Sequence, residues 1–250
     1  MSAPLGRTLL RLFTVQGSWN YERMQGVGVG VAEEPLLRDL AGDRDAYRAA
    51  VARGAHFFNA HPYLCGLAVG ATARAEHEGT PPEQIERLRL ALGGPLGSLG
   101  DRLVWAGWLP CNSGLALAGV ALGLGWWSVV VFLGLYNLGH VALRWWALRE
   151  GWGLGTRVAE ALRQPWLQRA ATLIGPAMAL AMGAALPLAA GYLGRPFPGG
   201  ARLTVLAIAG LGFLLLRWRR LGLTGLRLGL GAVAAALIVG WGLGWGAAWR

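Results

Sequence analysis

Lysine is missing altogether: all 23 basic residues of this 250-residue chain are arginine. Acidic residues run out early. Up to Arg102 the chain holds eleven acidic and eleven basic residues, whereas beyond it only Glu150 and Glu160 face twelve arginines. The net charge of +10 therefore belongs to the second part, where arginines punctuate long apolar runs. Such spacing marks membrane topology rather than a soluble basic patch, so nucleic acid is excluded as a partner. Two cysteines, Cys65 and Cys111, stand alone and exclude a disulfide scaffold. No cleavable leader is read at the amino terminus, because Arg7 and Arg11 interrupt the only apolar stretch there. The first segment is expected to stay in the cytoplasm.

What the chain has is hydrophobic bulk: 54% apolar residues, 40 glycines and 13 tryptophans, against 14% charged. A soluble domain rarely has this composition. From Leu103 to Leu143 there is no charged residue, enough for two crossings at about 20 residues each. Tryptophan pairs at 105/108, 126/127 and 145/146 mark the ends and the turn of a helical hairpin, since indoles favour the headgroup interface. The hydropathy pattern predicts an all-α polytopic membrane protein with about five transmembrane helices near 103–122, 124–143, 170–194, 203–216 and 228–249. Arginine-rich loops at 144–169 and 217–227 are placed in the cytoplasm, and the carboxy terminus outside. Gly225/Gly229 and Gly240/Gly244 have the spacing that permits close helix contact, and Trp241, Trp245 and Trp249 share one face.

Residues 1–102 read as an amphipathic, partly re-entrant helical region on the cytoplasmic side. Leu5, Leu9, Leu12, Phe13 and Gln16 share one helical face. That helix either lies in the membrane surface or packs on the protein's own spans. Tyr47, Ala50, Val51, Gly54 and Phe58 repeat the pattern. A third helix is expected to start at an N-capping Thr80, with Pro81 and Glu83 completing the signal, and to end at Gly93, Gly94 and Pro95.

Three clusters crowd polar side chains and glycines into apolar surroundings: QGSWNYERMQGVGVG at 16–30, HFFNAHP at 56–62 and GPLGSLGDRLVW at 94–105. As generic motifs they are weak. Gly26, Gly28 and Gly30 lack dinucleotide-loop spacing, and His56 and His61 lack a third metal ligand. No catalytic nucleophile pattern, metal site or cofactor is expected.

In order, however, the clusters resemble subunit IID of the mannose/fructose/sorbose class of phosphoenolpyruvate-dependent sugar phosphotransferase systems. Arg11–Gly28, Arg53–Pro62 and Gly94–Asp101 carry the resemblance, with Gly151, Trp152 and Gly155 continuing it. Departures fall at Gly54, His56, Ala60 and Arg102. The resemblance implies a non-phosphorylated permease subunit in a bacterial inner membrane, partnered by a IIC membrane subunit and served by cytoplasmic IIA and IIB phosphocarriers, handling a hexose-type sugar. Asn20, Glu22, Gln25, Asn59, His61 and Asp101 are the candidates for the substrate path, because polar groups in an apolar bundle need a cavity or partners. Asp101 could instead cap the first span, and Glu22 could pair with Arg23 or Arg11. Gly94, Gly97 and Gly100, at i, i+3 and i+6, are expected to form a strip of close backbone approach. The departures motivate an alternative: a diverged membrane interaction subunit that carries no sugar.

Overall fold

The computed structural model describes residues 3–193, and these are helical apart from turns and two isolated bridges. Residues up to Leu188 form one compact unit. Helix α1 (Leu5–Leu12) buries Thr8 and Leu12, rests Leu5 and Leu9 on the core, and leaves Leu10 in the open. Of its two expected settings, the one observed is packing on the protein's own helices.

Helix α2 (Gly26–Leu37) has no counterpart in the sequence reading. Its alternating glycines are contact points. A Cβ on Gly26 would strike the His56 carbonyl, one on Gly28 the Val15 carbonyl, and one on Gly30 would lie 2.9 Å from the Ala55 nitrogen. After a 3-10 turn (Arg38–Gly42), Asp43 caps α3 (Arg44–Gly54) by accepting from the amides of Asp45 and Ala46 at 3.0 Å each. Phe58, expected on that helix, lies beyond its end, buried between the exposed loop residues Phe57 and Asn59.

Helix α4 (Cys65–His77) runs through the middle of the unit with no exposed residue. It was invisible to periodicity because its first two turns and more, Cys65 to Ala73, are apolar or small on every side. The sequence continues into α5 (Pro82–Gly100), where two expectations are corrected. Thr80 is not the N-cap; Pro81 takes that position in an extended conformation, with Pro82 opening the helix and no side-chain cap bond. Nor does the helix stop at Gly93–Pro95. It runs on through Pro95, passes through a π-helical segment (Asp101–Trp108), and continues as α6 (Leu109–Ala121). One proline removes a single ladder bond, and surrounding packing offsets that loss.

The hairpin predicted from the tryptophans is present. Between α6 and α7 (Trp127–Leu154) the chain turns through Gly123 and Gly125, whose φ values of +95° and +54° suit glycine. Helix α7 extends beyond the expected end of its span at residue 143, and carries Arg144 inside it. A 3-10 turn (Gly155–Arg157) and the short α8 (Ala159–Leu162) lead into α9 (Pro165–Leu193), which contains Pro176 and Pro187. Among the described residues three helical stretches are long and apolar enough to cross a membrane: Pro82–Ala121, Trp127–Arg157 and Pro165–Ala189. The expected spans at 203–216 and 228–249, their glycine pairs and the Trp241 stripe lie outside the described residues.

The tightest joint is between α4 and α7. A Cβ on Gly66 would stand 2.8 Å from the Leu148 nitrogen, one on Gly70 would strike the Trp152 nitrogen, and one on Gly151 would strike the Leu67 carbonyl. This is small-xxx-small packing, in which missing side chains let two backbones touch.

Candidate functional site

The three sequence clusters converge. Met24, at φ +50°, bridges to Phe58, with the Gln25 amide donating to the Phe58 carbonyl at 2.9 Å and the Phe58 amide to the Arg23 carbonyl at 3.2 Å. The first and second clusters are thereby stitched together. The third joins them at Gly100, where an added Cβ would collide with the His61 side chain. Of the other two glycines in that strip, Gly94 has open space and Gly97 only an ordinary contact, 3.9 Å from Ala60. The neighbouring Gly93 is closer to a partner, 3.1 Å from the Asn59 carbonyl.

Two of the six candidates are buried at this junction. His61 is 2% exposed and Gln25 4% exposed, so neither can rely on water. The Gln25 Oε1 accepts from the Cys65 thiol at 3.2 Å. His61 Nδ1 accepts from the Tyr63 amide at 3.2 Å, which places the neutral ring's proton on Nε2. That N–H has no partner among the described residues. Burial, with the nearby positive charge of Arg144 adding to it, pushes His61 down to about 4, so the ring is neutral at physiological pH.

The remaining four lie elsewhere on the surface. Asn20 folds its own turn: Oδ1 accepts from the amides of Glu22 (3.1 Å) and Arg23 (2.8 Å), and Nδ2 donates to the Ser18 carbonyl. Glu22, Asn59 and Asp101 are exposed. Arg11 pairs with Glu34 at 2.7 Å, not with Glu22. Asp101 sits inside a continuous helix, so there is no helix amino end there for it to cap.

Sequence reasoning passed over the residues that surround His61. Tyr63 stacks on His140 with centroids 4.1 Å apart, and its hydroxyl shares a 2.7 Å hydrogen bond with Tyr136. Arg144, 4% exposed, donates through Nε to His140 Nε2 at 2.7 Å and through Nη1 to the Leu12 carbonyl. Its guanidinium also lies over the rings of Phe13 and Tyr63. The available signal was a lone arginine with a histidine one turn before it in an apolar helix.

A second buried network was equally unforeseen. Glu33 accepts from Thr72 Oγ1 at 2.5 Å, and its other oxygen lies 3.8 Å from Arg89 Nη1. Arg89 donates to the carbonyls of Gly54 (2.6 Å) and His56 (3.1 Å) and lies over Phe58. Burial raises Glu33 to about 7, outweighing the attraction of Arg89 and the Thr72 hydrogen bond. Glu34, one residue on, shows the opposite: hydrogen bonds from Arg38, Tyr47 and Arg11 hold it down near 2. The network also includes the Arg53–Glu76 pair, joined at 2.8 and 2.6 Å. Among the described residues no three histidine, cysteine or carboxylate side chains are grouped as metal ligands would be.

A polytopic helical membrane protein whose polar side chains are gathered against its spans is the class this architecture defines. The family described as "PTS system mannose/fructose/sorbose family IID component" matches residues 3–187, and the chain belongs to that family. The mannose-specific IID component of Escherichia coli strain K12 is 29% identical over 166 residues, covering 64% of this chain and 58% of that relative. A sorbose-specific IID component from Lacticaseibacillus casei is 29% identical over 168 residues, with 64% and 59% covered. The match thus spans less than three-fifths of either relative's length. Among solved structures, a mannose transporter ManYZ complex with microcin E492 contains a chain similar at TM-score 0.58 and 23% identity, with 98% of this chain and 97% of that one covered. A structure described as a membrane protein is similar at TM-score 0.74 and 22% identity, with the same coverage. Both speak to the fold alone.

Proposed function

We propose that this chain serves as the IID subunit of a phosphoenolpyruvate-dependent permease, pairing with a IIC subunit in the inner membrane to carry a mannose-class hexose. IIB, supplied by IIA, phosphorylates the sugar, and this chain carries no phosphate. The reading keeps the five-span topology, with the amino terminus in the cytoplasm and residues 1–102 on that side. It rests on family membership and on one observation: three motifs separated by long stretches of sequence meet at His61, whose Nε2–H is a donor with no partner among the described residues. An unpaired buried donor costs about 1 to 3 kcal/mol, which a route for a hydroxylated ligand would justify. Gln25 and His61 would border that route from within, and Asn20, Glu22, Asn59 and Asp101 from the surface facing IIC.

The test uses a strain lacking its own IID, supplied with the IIA, IIB and IIC partners. Tagged chain should bring down IIC, and radiolabelled mannose should accumulate only when the chain is present. His61→Phe keeps the bulk and removes the Nε2 donor together with the Nδ1 acceptor of the Tyr63 amide; it should preserve IIC recovery and lower uptake at least tenfold. Recovery of IIC without any uptake by the unmodified chain would leave an interaction subunit in place of a transporter.

A further inference from the structure

A groove of about 540 Å³ opens between the π-helical segment, α7 and α9. Its walls are almost entirely carbon, which rules out a sugar: a hydroxylated ligand needs several convergent polar groups. At its deep end the Trp108 indole lies against Gly139, where a Cβ would stand 2.8 Å from Nε1. At the other end Trp146 meets Trp166 edge-on at 4.8 Å, and both indoles donate to Gln164 Oε1, at 3.2 and 2.7 Å. Indoles bonded at one edge and greasy at the other belong at the level of lipid headgroups.

Charge distinguishes the two ends. Each of the three walls carries an exposed arginine close to the tryptophan end: Arg102 directly before Leu103, Arg149 three residues after Trp146, and Arg169 three residues after Trp166. None of the three has a hydrogen-bonding or ion-pairing partner among the described residues. The acids near them are the exposed Asp101 and the half-buried Glu150, and Glu150 already accepts from Gln164 at 2.7 Å. The lining itself holds no aspartate, glutamate or arginine at either end, so the three arginines stand at the margin of the groove.

We propose that this groove binds one acyl chain of an anionic glycerophospholipid, with the lipid phosphate held among Arg102, Arg149 and Arg169. An apolar slot with a cationic mouth is complementary to such a lipid along its whole length. A purely apolar partner helix would fill the slot and leave three arginines unanswered.

The full chain is purified in detergent, exposed to mixed micelles of phosphatidylglycerol or phosphatidylcholine with identical acyl chains, and examined by native mass spectrometry. Phosphatidylglycerol should be retained at least tenfold over phosphatidylcholine. Ala177 lines the slot but is itself exposed, so Ala177→Trp blocks the slot without entering the core. That variant should lose one bound lipid while its circular dichroism is unchanged. Replacing Arg102, Arg149 and Arg169 by Gln should equalise the two lipids. Equal retention by the unmodified chain, or an Ala177→Trp variant that keeps its full lipid count, overturns the proposal. So does a photoreactive group at Ala177 that captures a protein in native membranes and no lipid.

Discussion

Helix α4 and the first half of α7 are both apolar, yet they solve opposite problems. No residue of α4 is exposed, whereas Val129, Val130, Val131, Leu133, Leu135 and Leu138 of α7 all are. Glycine and alanine make α4 thin enough for other backbones to close around it. The bulky aliphatic surface of α7 suits surroundings of acyl chains, which exert no hydrophobic pressure between helices. Apolar composition therefore has two meanings in this chain, and side-chain size separates them: small residues where protein is the solvent, large ones where lipid is.

The comparison breaks first at the charges buried around α4. Arg89→Met leaves Glu33 without its counter-charge and two carbonyls without a donor, and should cost about 3 to 5 kcal/mol in detergent unfolding. Adding Glu33→Gln should recover a large part of that loss. An unchanged unfolding midpoint for Arg89→Met would show that the pair is as dispensable as a surface one.

The next largest effect is on pH. Glu33 holds its proton to about 7 in the folded chain against 4.5 as its ordinary value. The folded state thus binds the extra proton between these limits, and stability should fall as pH rises from 4.5 to 7, by no more than about 3 kcal/mol. Glu33→Gln should flatten the profile in that window. Persistence of the slope in the variant would assign it to another group.

The smallest effect sharpens the contrast between the helices. Gly70→Val drives a side chain into the α7 backbone and should cost about 1 to 3 kcal/mol. Gly134, on the exposed first half of α7, has open space around it, so Gly134→Val should change stability by less than about 0.5 kcal/mol. Equal losses at the two sites would mean that α7 is also enclosed by protein.

Legibility followed the same division. The hairpin of α6 and α7, the body of α9 and the Leu5, Leu9 and Leu12 face of α1, though not Phe13 and Gln16 beyond its end, could be read, as could the Ala50 and Gly54 face of α3, because large apolar residues and tryptophans recur with helical or membrane-length spacing. Helices α2 and α4 escaped notice because their information lies in what is missing: Gly28, Gly66 and Gly70 matter through the atoms they allow to come near, which a single sequence does not list. The run Gly93–Pro95 misled for a related reason. Breaker residues act on a solvated helix, and here the helix is embedded among others. At the site, His61 and Gln25 stood out as polar residues within glycine-rich motifs. Arg144 and His140 did not, because a loop-and-span reading put the arginine in a cytoplasmic loop when it lies within α7. The Glu33–Thr72–Arg89 network was hidden by distance along the chain.

The hold of Arg144 on the Leu12 carbonyl spans 132 residues, and it sets a waiting time on the newborn polypeptide. Synthesis at about 5 to 20 residues per second means that roughly 7 to 26 s separate the emergence of α1 from that of its anchor. Throughout that interval the apolar face of Leu5, Leu9 and Leu12 has no partner on α7, so the insertion machinery or a chaperone must shelter the amino-terminal helix until the hairpin is threaded. The joint between the first segment made and α7 thus closes only after residue 144 has emerged, and the yield of correctly built protein depends on how long the cell can keep that segment from sticking elsewhere.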